Sequence, residues 1–243
     1  MRYTLIMLFI TMALFTNCVN AHSSILSSYT SDKDSVTKGA YTLVFINRDP
    51  TFAIKGAIVK QRMIDAFFKV YPAEAAIYNP NTNRHVVFLI DPNYEGVAAT
   101  FSSSFGNIRV DTVHFNPAWM LKMPTDVDVV THEVMHIVQE YGYSAGPFWL
   151  TEGIADYARY KFGVDNAGSG WSMPDYRAGQ SYTNSYRISA RFLVWMEEKK
   201  TPNVVQKLDA ELRAHTYDDG TWKKLTGESL DDLWKDYAAN PAI

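Results

Sequence analysis

The sequence predicts an α+β protein with a small mixed sheet, one helix that carries the candidate site residues, and a mainly helical C-terminal lobe. Three observations support this fold class. Short β-favouring runs bounded by Asn, Asp and Pro occur in residues 41–115, and a stretch with helical spacing separates the first run from the others. From residue 117 onward, apolar residues recur at mostly helical spacing. The predicted order is therefore strand, helix, three strands and then helices.

The N-terminus has the charged, apolar and cleavage regions of a secretory signal peptide. Arg2 is followed by the apolar run 5–15 and then by the stretch 16–21. The run is too short to favour a membrane span, and no later segment is apolar enough to replace it, so we expect no transmembrane segment. We therefore predict that residues 1–21 are removed and that the protein is secreted or otherwise extracytoplasmic.

Cys18 is the only cysteine, so a mature chain that begins near His22 contains no disulfide. An alternative makes Cys18 the lipid-anchored first residue of a bacterial lipoprotein, although residues 15–17 fit that processing signal poorly. Removing residues 1–21 takes away one basic and no acidic residue, which changes the net charge from −3 to −4. A chain of this charge is not expected to bind nucleic acid.

The length of 243 residues suits one folded domain, predicted at residues 41–243, after a polar, Ser-rich leader at 22–40. This domain divides into a sheet lobe at about 41–141 and a helical lobe at about 147–243. Strands are expected at 41–46, 85–90, 96–101 and 107–115. A long helix is expected at 52–70 and a short helix at 117–123. A loop that contains Pro72, Pro80 and residues 81–83 follows the long helix.

The next helix carries the first candidate site residues. His132 and His136 stand four residues apart, so their side chains share one helical face and can bind one metal ion, with Glu133 beside them. The apolar positions of this helix form a stripe that we expect on the opposite face. The alternative is that these are two surface histidines without a ligand. Asp126 and Asp128 suit the positive end of the helix dipole, and no further role is expected of them.

A second helix follows the Gly- and Pro-containing turn 142–147 and offers two carboxylates, Glu152 and Asp156. Catalytic zinc sites use three protein ligands, and the position of the third distinguishes classes of zinc hydrolase. The metzincin pattern is disfavoured because Gln139 and Gly142 occupy positions where it requires Gly and His. Glu152 is the better third ligand, with Asp156 placed to accept an N–H from a ligating histidine; the reverse assignment stays open.

Two levels of resemblance follow from these motifs. HExxH with a downstream ExxxD resembles the gluzincin metallopeptidases. More narrowly, THEVMHIVQEY followed by GPFWLTEGIADYARY is similar to the basic secretory protein family of plants and bacteria, and the similarity continues at 185–198 and 227–237. It covers about the whole mature domain. The net charge of this chain is negative, which differs from the word 'basic' in the family's name. The binding partners of other family members are therefore not assumed for this protein.

The resemblance implies a zincin-like fold and a secreted zinc peptidase that acts on protein or peptide substrates. It implies that His132, His136 and Glu152 bind one Zn²⁺ and that Glu133 is the general base. That assignment agrees with elementary chemistry, because zinc acidifies water and a nearby free carboxylate can take the proton. In this assignment Asp156 does not bind the metal and instead orients one of the histidine ligands.

A further group is expected to stabilise the tetrahedral intermediate. The candidates are Tyr182 and Tyr186, with Arg187 and Arg191 as further options in the same segment, although each could be purely structural. His114 could approach the cleft from a strand end. By analogy with zincins, the strand at 96–101 would be the sheet edge that pairs with an extended substrate.

Two alternative functions stay open at this stage. One is a zincin-like binding protein that keeps the metal without turnover, although retention of Glu133 argues against it, because a structural zinc has no use for a free general base. The other is a metal-dependent amidase acting on a non-protein or cell-wall substrate, whose water-activating chemistry is the same. The sequence makes no prediction of the oligomeric state.

Overall fold

The computed structural model describes residues 32–243, which form a mixed α+β fold with a five-stranded sheet and several helices. The predicted signal peptide and Cys18 lie outside the described residues. Within residues 32–243, no helix combines the length and apolar character needed to cross a membrane.

The sheet has the spatial order β1-β2-β3-β5-β4. Its strands are β1 (Asp32–Lys38), β2 (Tyr41–Asn47), β3 (His85–Ile90), β4 (Ala98–Phe105) and β5 (Ile108–Phe115). The central pairs β2–β3 and β3–β5 are parallel, and the two outer pairs, β1–β2 and β4–β5, are antiparallel. Both edges of the sheet are therefore formed by hairpins, and β4 is one of these edges.

Nine α-helices are found in residues 32–243. They are α1 (Pro50–Lys55), α2 (Ala57–Ile77), α3 (Pro117–Lys122), α4 (Val129–Gln139), α5 (Phe148–Phe162), α6 (Tyr186–Lys199), α7 (Val204–Arg213), α8 (Thr221–Thr226) and α9 (Leu230–Ala239). A 3-10 turn, Tyr182–Asn184, precedes α6. All five strands precede α3, and every element after β5 is helical, as the sequence predicts.

One hydrophobic core runs from the sheet into the later helices. Alternate residues of β2 and β3, such as Leu43 and Phe88, are fully buried, as expected for strands that place every second side chain on one face. Phe67 of α2 packs edge-to-face against Phe88 at 5.5 Å between ring centroids. Farther along the chain, Trp222 and Phe192 extend the same core. The sheet and the C-terminal helices therefore support each other.

Three elements differ from the sequence-based expectations. Residues 32–38, predicted as part of a polar leader, form β1, because an edge strand is held by backbone pairing with β2 and can keep its side chains exposed. The predicted single helix at 52–70 is divided at Gly56 into α1 and α2. Pro72, predicted to lie in the loop after that helix, lies inside α2, where its buried neighbours Tyr71 and Ala75 hold the helix against the core.

Candidate metal centre

The helix α4 lies between α2 and α5 and runs beside the edge strand β4. This placement buries both of its faces. His132 is 8% exposed and Glu133 is 5% exposed, so these residues are not surface side chains. The alternative of two surface histidines is therefore wrong, because α5 and β4 cover the face that the histidines occupy.

Three ligand-type side chains converge between α4 and α5. His132, His136 and Glu152 each offer one ligand atom, and these atoms lie within 4.8 Å of one another. The two Nε2 atoms are 3.2 Å apart, and Oε2 of Glu152 lies 3.2 Å from Nε2 of His132 and 3.6 Å from Nε2 of His136. The structure therefore brings together all three predicted metal ligands.

Each histidine of this cluster is held by its other ring nitrogen. Nδ1 of His132 lies 2.7 Å from Oδ1 of Asp156, as the sequence predicts. Nδ1 of His136 lies 2.7 Å from Oε1 of Gln139, whose amide donates to the carbonyl of Thr151 at 2.9 Å. In both rings Nε2 faces the cluster, and an imidazole that donates through Nδ1 can offer the lone pair of Nε2 to a metal ion.

The electrostatics of the cluster favour a positive charge at its centre. Burial acts to lower the pKa of His132, but hydrogen bonds to Asp156 and Glu152 outweigh it and raise that pKa to about 10. Burial acts to raise the pKa of Glu152, but hydrogen bonds from His132 and His136 lower it to about 2. The carboxylates of Asp156 and Glu152, which stabilise the protonated form of His132, would also stabilise a bound metal cation.

Glu133 lines the same cleft and is contacted by the edge strand. The hydroxyl of Thr100, on β4, lies 3.0 Å from Oε2 of Glu133 and 2.7 Å from its main-chain oxygen. A hydroxyl has one proton, so it donates to one of these oxygens at a time. Asp156 and Glu152 also line the cleft, so the candidate general base and the ligand set face the same space.

The two candidate tyrosines lie in different environments. Tyr186 lines the cleft, is 48% exposed and stacks on His132 with 6.2 Å between ring centroids. Burial, followed by the negative charges of Glu152 and Asp156, raises the pKa of Tyr186, so its hydroxyl stays protonated. The hydroxyl of Tyr182 instead donates to Asp231 at 2.9 Å, and Tyr182 is not among the cleft-lining residues of the described chain.

The three remaining candidates, Arg187, Arg191 and His114, also lie in different environments. Arg187 lines the cleft and donates to the carbonyl of Ser172 at 3.2 Å. Arg191 points to the C-terminus, where it donates to the carbonyl of Pro241 at 3.3 Å. His114 is bound to Asp91 at 2.9 Å. Of these three, the structure brings only Arg187 to the cleft.

Sequence reasoning assigned no role to two residues that contact the site. Gln139 is three residues after His136, so its position on the same helical face was a usable signal. Thr100 left no such signal, because it is 33 residues from Glu133 and meets it only through the packing of β4 on α4.

The two acidic residues at the start of α4 do more than the dipole role expected of them. Asp126 forms an ion pair with Arg159. Asp128 accepts hydrogen bonds from the backbone N–H groups of Val164 and Asp165, both at 2.6 Å. These contacts attach the beginning of α4 to the end of α5 and to the loop that follows it.

Fold and cluster together define an α+β protein with a partly buried His–His–Glu group that could hold a metal ion. The chain matches the model of the BSP family, described as a peptidase of plants and bacteria, over residues 26–237. That range covers most of the sequence, so the protein belongs to the basic secretory protein family, as its motifs indicate. No curated protein matches the chain.

Proposed function

We propose that this protein is a secreted zinc-dependent peptidase whose metal ligands are His132, His136 and Glu152. The observation that carries the proposal is the spacing of the three ligand atoms, 3.2, 3.2 and 3.6 Å. Ligands about 2.0–2.1 Å from a tetrahedral Zn²⁺ lie roughly 3.3 Å from one another. Membership of a peptidase family supports hydrolysis of peptide bonds as the reaction.

When bound, zinc supplies Lewis acidity, which lowers the pKa of water and polarises a carbonyl group. The protein's own residues do the rest. The carboxylate of Glu133 takes a proton from the attacking water and later gives it to the nitrogen of the leaving amine. The hydroxyl of Thr100 lies within hydrogen-bond distance of Oε2 of that carboxylate and can orient it when it donates there.

Tyr186 is the group that we propose to stabilise the developing oxyanion. It lines the cleft beside His132, and its raised pKa keeps the hydroxyl available as a hydrogen-bond donor. Tyr182 is less suited to this role, because its hydroxyl already donates to Asp231. The expected signature of Tyr186→Phe is a lower kcat with KM little changed.

The test compares the wild type with Glu133→Gln in two measurements, metal content and cleavage of a dye-labelled unfolded protein. We expect about one zinc per chain in both proteins and a cleavage rate about 10²–10⁴-fold lower in the variant. The control is Glu198→Gln, the same change at an exposed position of α6, which should leave both quantities unchanged. Wild-type protein without stoichiometric zinc, or a fully active Glu133→Gln variant, would contradict the proposal.

The same assay separates the two alternative functions. A metal-binding protein without turnover would bind zinc and leave the labelled protein intact. An amidase specific for a non-protein or cell-wall substrate would also leave it intact but would hydrolyse an acylated amine, and that hydrolysis would depend on Glu133. Export is supported by the signal-like residues 1–21 and by the family's name, and N-terminal sequencing of the exported protein tests it.

A further inference from the structure

The cleft that contains the His–His–Glu cluster extends well beyond it. Its volume is about 1070 Å³, far more than a metal ion and a water molecule require. Because His132 contacts Asp156 and His136 approaches Glu152, α4 and α5 run antiparallel along the cleft. Going from Glu152 to Arg159 on α5 covers about 10 Å of helix, which leads away from the ligands to one end of the cleft.

That end of the cleft has an aromatic and aliphatic lining. We name it the tryptophan subsite and define it by four residues: Trp119, Met123, Val129 and Trp171. Trp119 and Trp171 are both half-buried, so their ring surfaces are partly accessible from the cleft. They come from α3 and from the segment after α5, which are far apart in the sequence.

The charged residues behind this subsite neutralise each other. Nη2 of Arg159 lies 2.5 Å from Oδ1 of Asp126, and their side chains are only 7% and 12% exposed. The other carboxylate oxygen of Asp126 accepts from the indole N–H of Trp119 at 3.4 Å. The guanidinium carbon of Arg159 lies 4.8 Å from the ring centroid of Trp171. The ion pair therefore holds both indoles in place and presents no unpaired charge to a ligand.

The subsite is also close enough to the cluster to be reached by one short peptide. Ala98, on β4, lines the cleft and is two residues from Thr100, which contacts Glu133. Two residues of an extended chain span about 7 Å. The residue before Ala98 is joined to the start of α3, the helix that carries Trp119, because the backbone N–H of Asn116 donates to the carbonyl of Val97 at 3.0 Å.

We propose that the tryptophan subsite binds an uncharged aromatic side chain of the substrate, within two residues of the cleaved bond. The inference rests on the proposed peptidase function and adds the substrate class. An aromatic ring packs favourably against the indoles, whereas an ammonium group would lose its hydration without gaining a free counter-ion from the paired Asp126. The peptidase therefore selects Phe, Tyr or Trp at one position next to the scissile bond.

The first experiment is cleavage of a random peptide library by the zinc-loaded wild type and by Trp119→Ala and Trp171→Ala. We expect aromatic residues to be enriched at one position in the wild type and the enrichment to disappear in both variants. For matched peptides with Phe or Ala at that position, the kcat/KM of the Phe peptide should fall about 10- to 100-fold, while that of the Ala peptide changes little. Unchanged aromatic preference in both variants, or enrichment of charged residues there, would overturn the inference.

Two kinds of control distinguish a folding defect from loss of the tryptophan subsite. Trp119→Phe and Trp171→Phe retain an aromatic surface and should restore most of the preference. Phe148→Ala removes an exposed aromatic ring elsewhere in the same cleft and should leave the preference intact. Zinc content should stay at about one ion per chain in all five variants.

A binding measurement separates failure of this inference from failure of the proposed function. The zinc-loaded Glu133→Gln variant is titrated with the two matched peptides while tryptophan fluorescence is followed. Binding of the Phe peptide about 10- to 100-fold tighter than the Ala peptide supports the subsite even if the wild type cleaves nothing. Equal affinity for the two peptides overturns the subsite, whatever the wild type cleaves.

Discussion

At the scale of single residues, the two histidines of the cluster are oriented by acceptors of different charge. His132 is held by the carboxylate of Asp156, and His136 by the neutral amide of Gln139. The amide cannot rotate freely, because its N–H group donates to the carbonyl of Thr151, next to the ligand Glu152. Gln139 therefore connects a ligand on α4 to the turn of α5 that carries the third ligand.

We predict that Gln139→Leu and Asp156→Ala each weaken zinc binding by about 10- to 100-fold, because each removes the acceptor that orients a ligating histidine. Glu152→Ala should weaken it more than either, because that change removes a ligand. Competition with a chromogenic chelator measures all three affinities. If Asp156→Ala proved more damaging than Glu152→Ala, the roles of the two carboxylates would be reversed.

The role of Gln139 can be separated from general packing. Gln139→Glu keeps an acceptor for His136 and loses only the donor to Thr151, so it should retain more zinc affinity than Gln139→Leu. Gln206→Leu is the control, because it removes an amide contact to the carbonyl of Ile77, away from the cleft. Equal affinity of Gln139→Leu and wild type would show that His136 needs no such acceptor.

At the scale of elements, the end of α4 is fastened by side chains from three other parts of the fold. The last carbonyl groups of a helix lack partners within the helix, and here they accept from other elements. The donors are Thr82 and Arg109 to the carbonyl of Ile137, Asn79 to that of Val138, and Arg213 to that of Gln139. These contacts fix the position of the α4 turn that carries His136 relative to the rest of the site.

Asn79→Ala should lower the free energy of unfolding by about 1–3 kcal/mol, because it leaves the buried carbonyl of Val138 without its donor. Urea denaturation of the metal-free protein measures the loss. Asn93→Ala is the matched control, since Asn93 is exposed in the loop after β3. Equal stability of the two variants would contradict the fastening role of Asn79.

At the scale of the whole molecule, the packing of α2 against α4 encloses one carboxyl group. Glu74 is fully buried, and neither of its carboxylate oxygens has a hydrogen-bond partner within the described residues. Burial raises the pKa of Glu74 well above its ordinary value of 4.5 and outweighs the opposing charge of His132, so this carboxyl group holds its proton to a higher pH in the folded protein than in the unfolded chain. The folded state therefore loses stability relative to the unfolded state as the pH rises above about 4.5.

We predict that Glu74→Met stabilises the metal-free protein by about 1–3 kcal/mol at pH 7.5 and by less at pH 4.5. The reason is that the unfolded wild type gains ionisation energy at pH 7.5 but little at pH 4.5. Denaturation at both pH values measures the difference. Glu198→Met, at an exposed position, should show no such dependence, and an equal gain for Glu74→Met at both pH values would contradict the prediction.

Much of the fold was predictable because it depends on local pattern. The strands at β2, β3 and β5 and the short helix α3 lie within one or two residues of the predicted positions. β1 was missed because its sequence is polar and only pairing with β2 makes it a strand. The helix through Pro72 was missed because burial of its neighbours outweighs the local cost of proline, which no local pattern reports.

For the site, the sequence by itself determined which side chains share a face of one helix. It placed His132 and His136 on one face and offered Glu152 and Asp156 from the next helix, and the resemblance implied that Glu152 is the ligand. The tertiary structure decided that Glu152 approaches both histidines, that Thr100 contacts Glu133, and that Trp119 and Trp171 share one end of the cleft. The physical reason is that helical spacing acts over a few residues, whereas these contacts join distant segments that meet only when the core is packed.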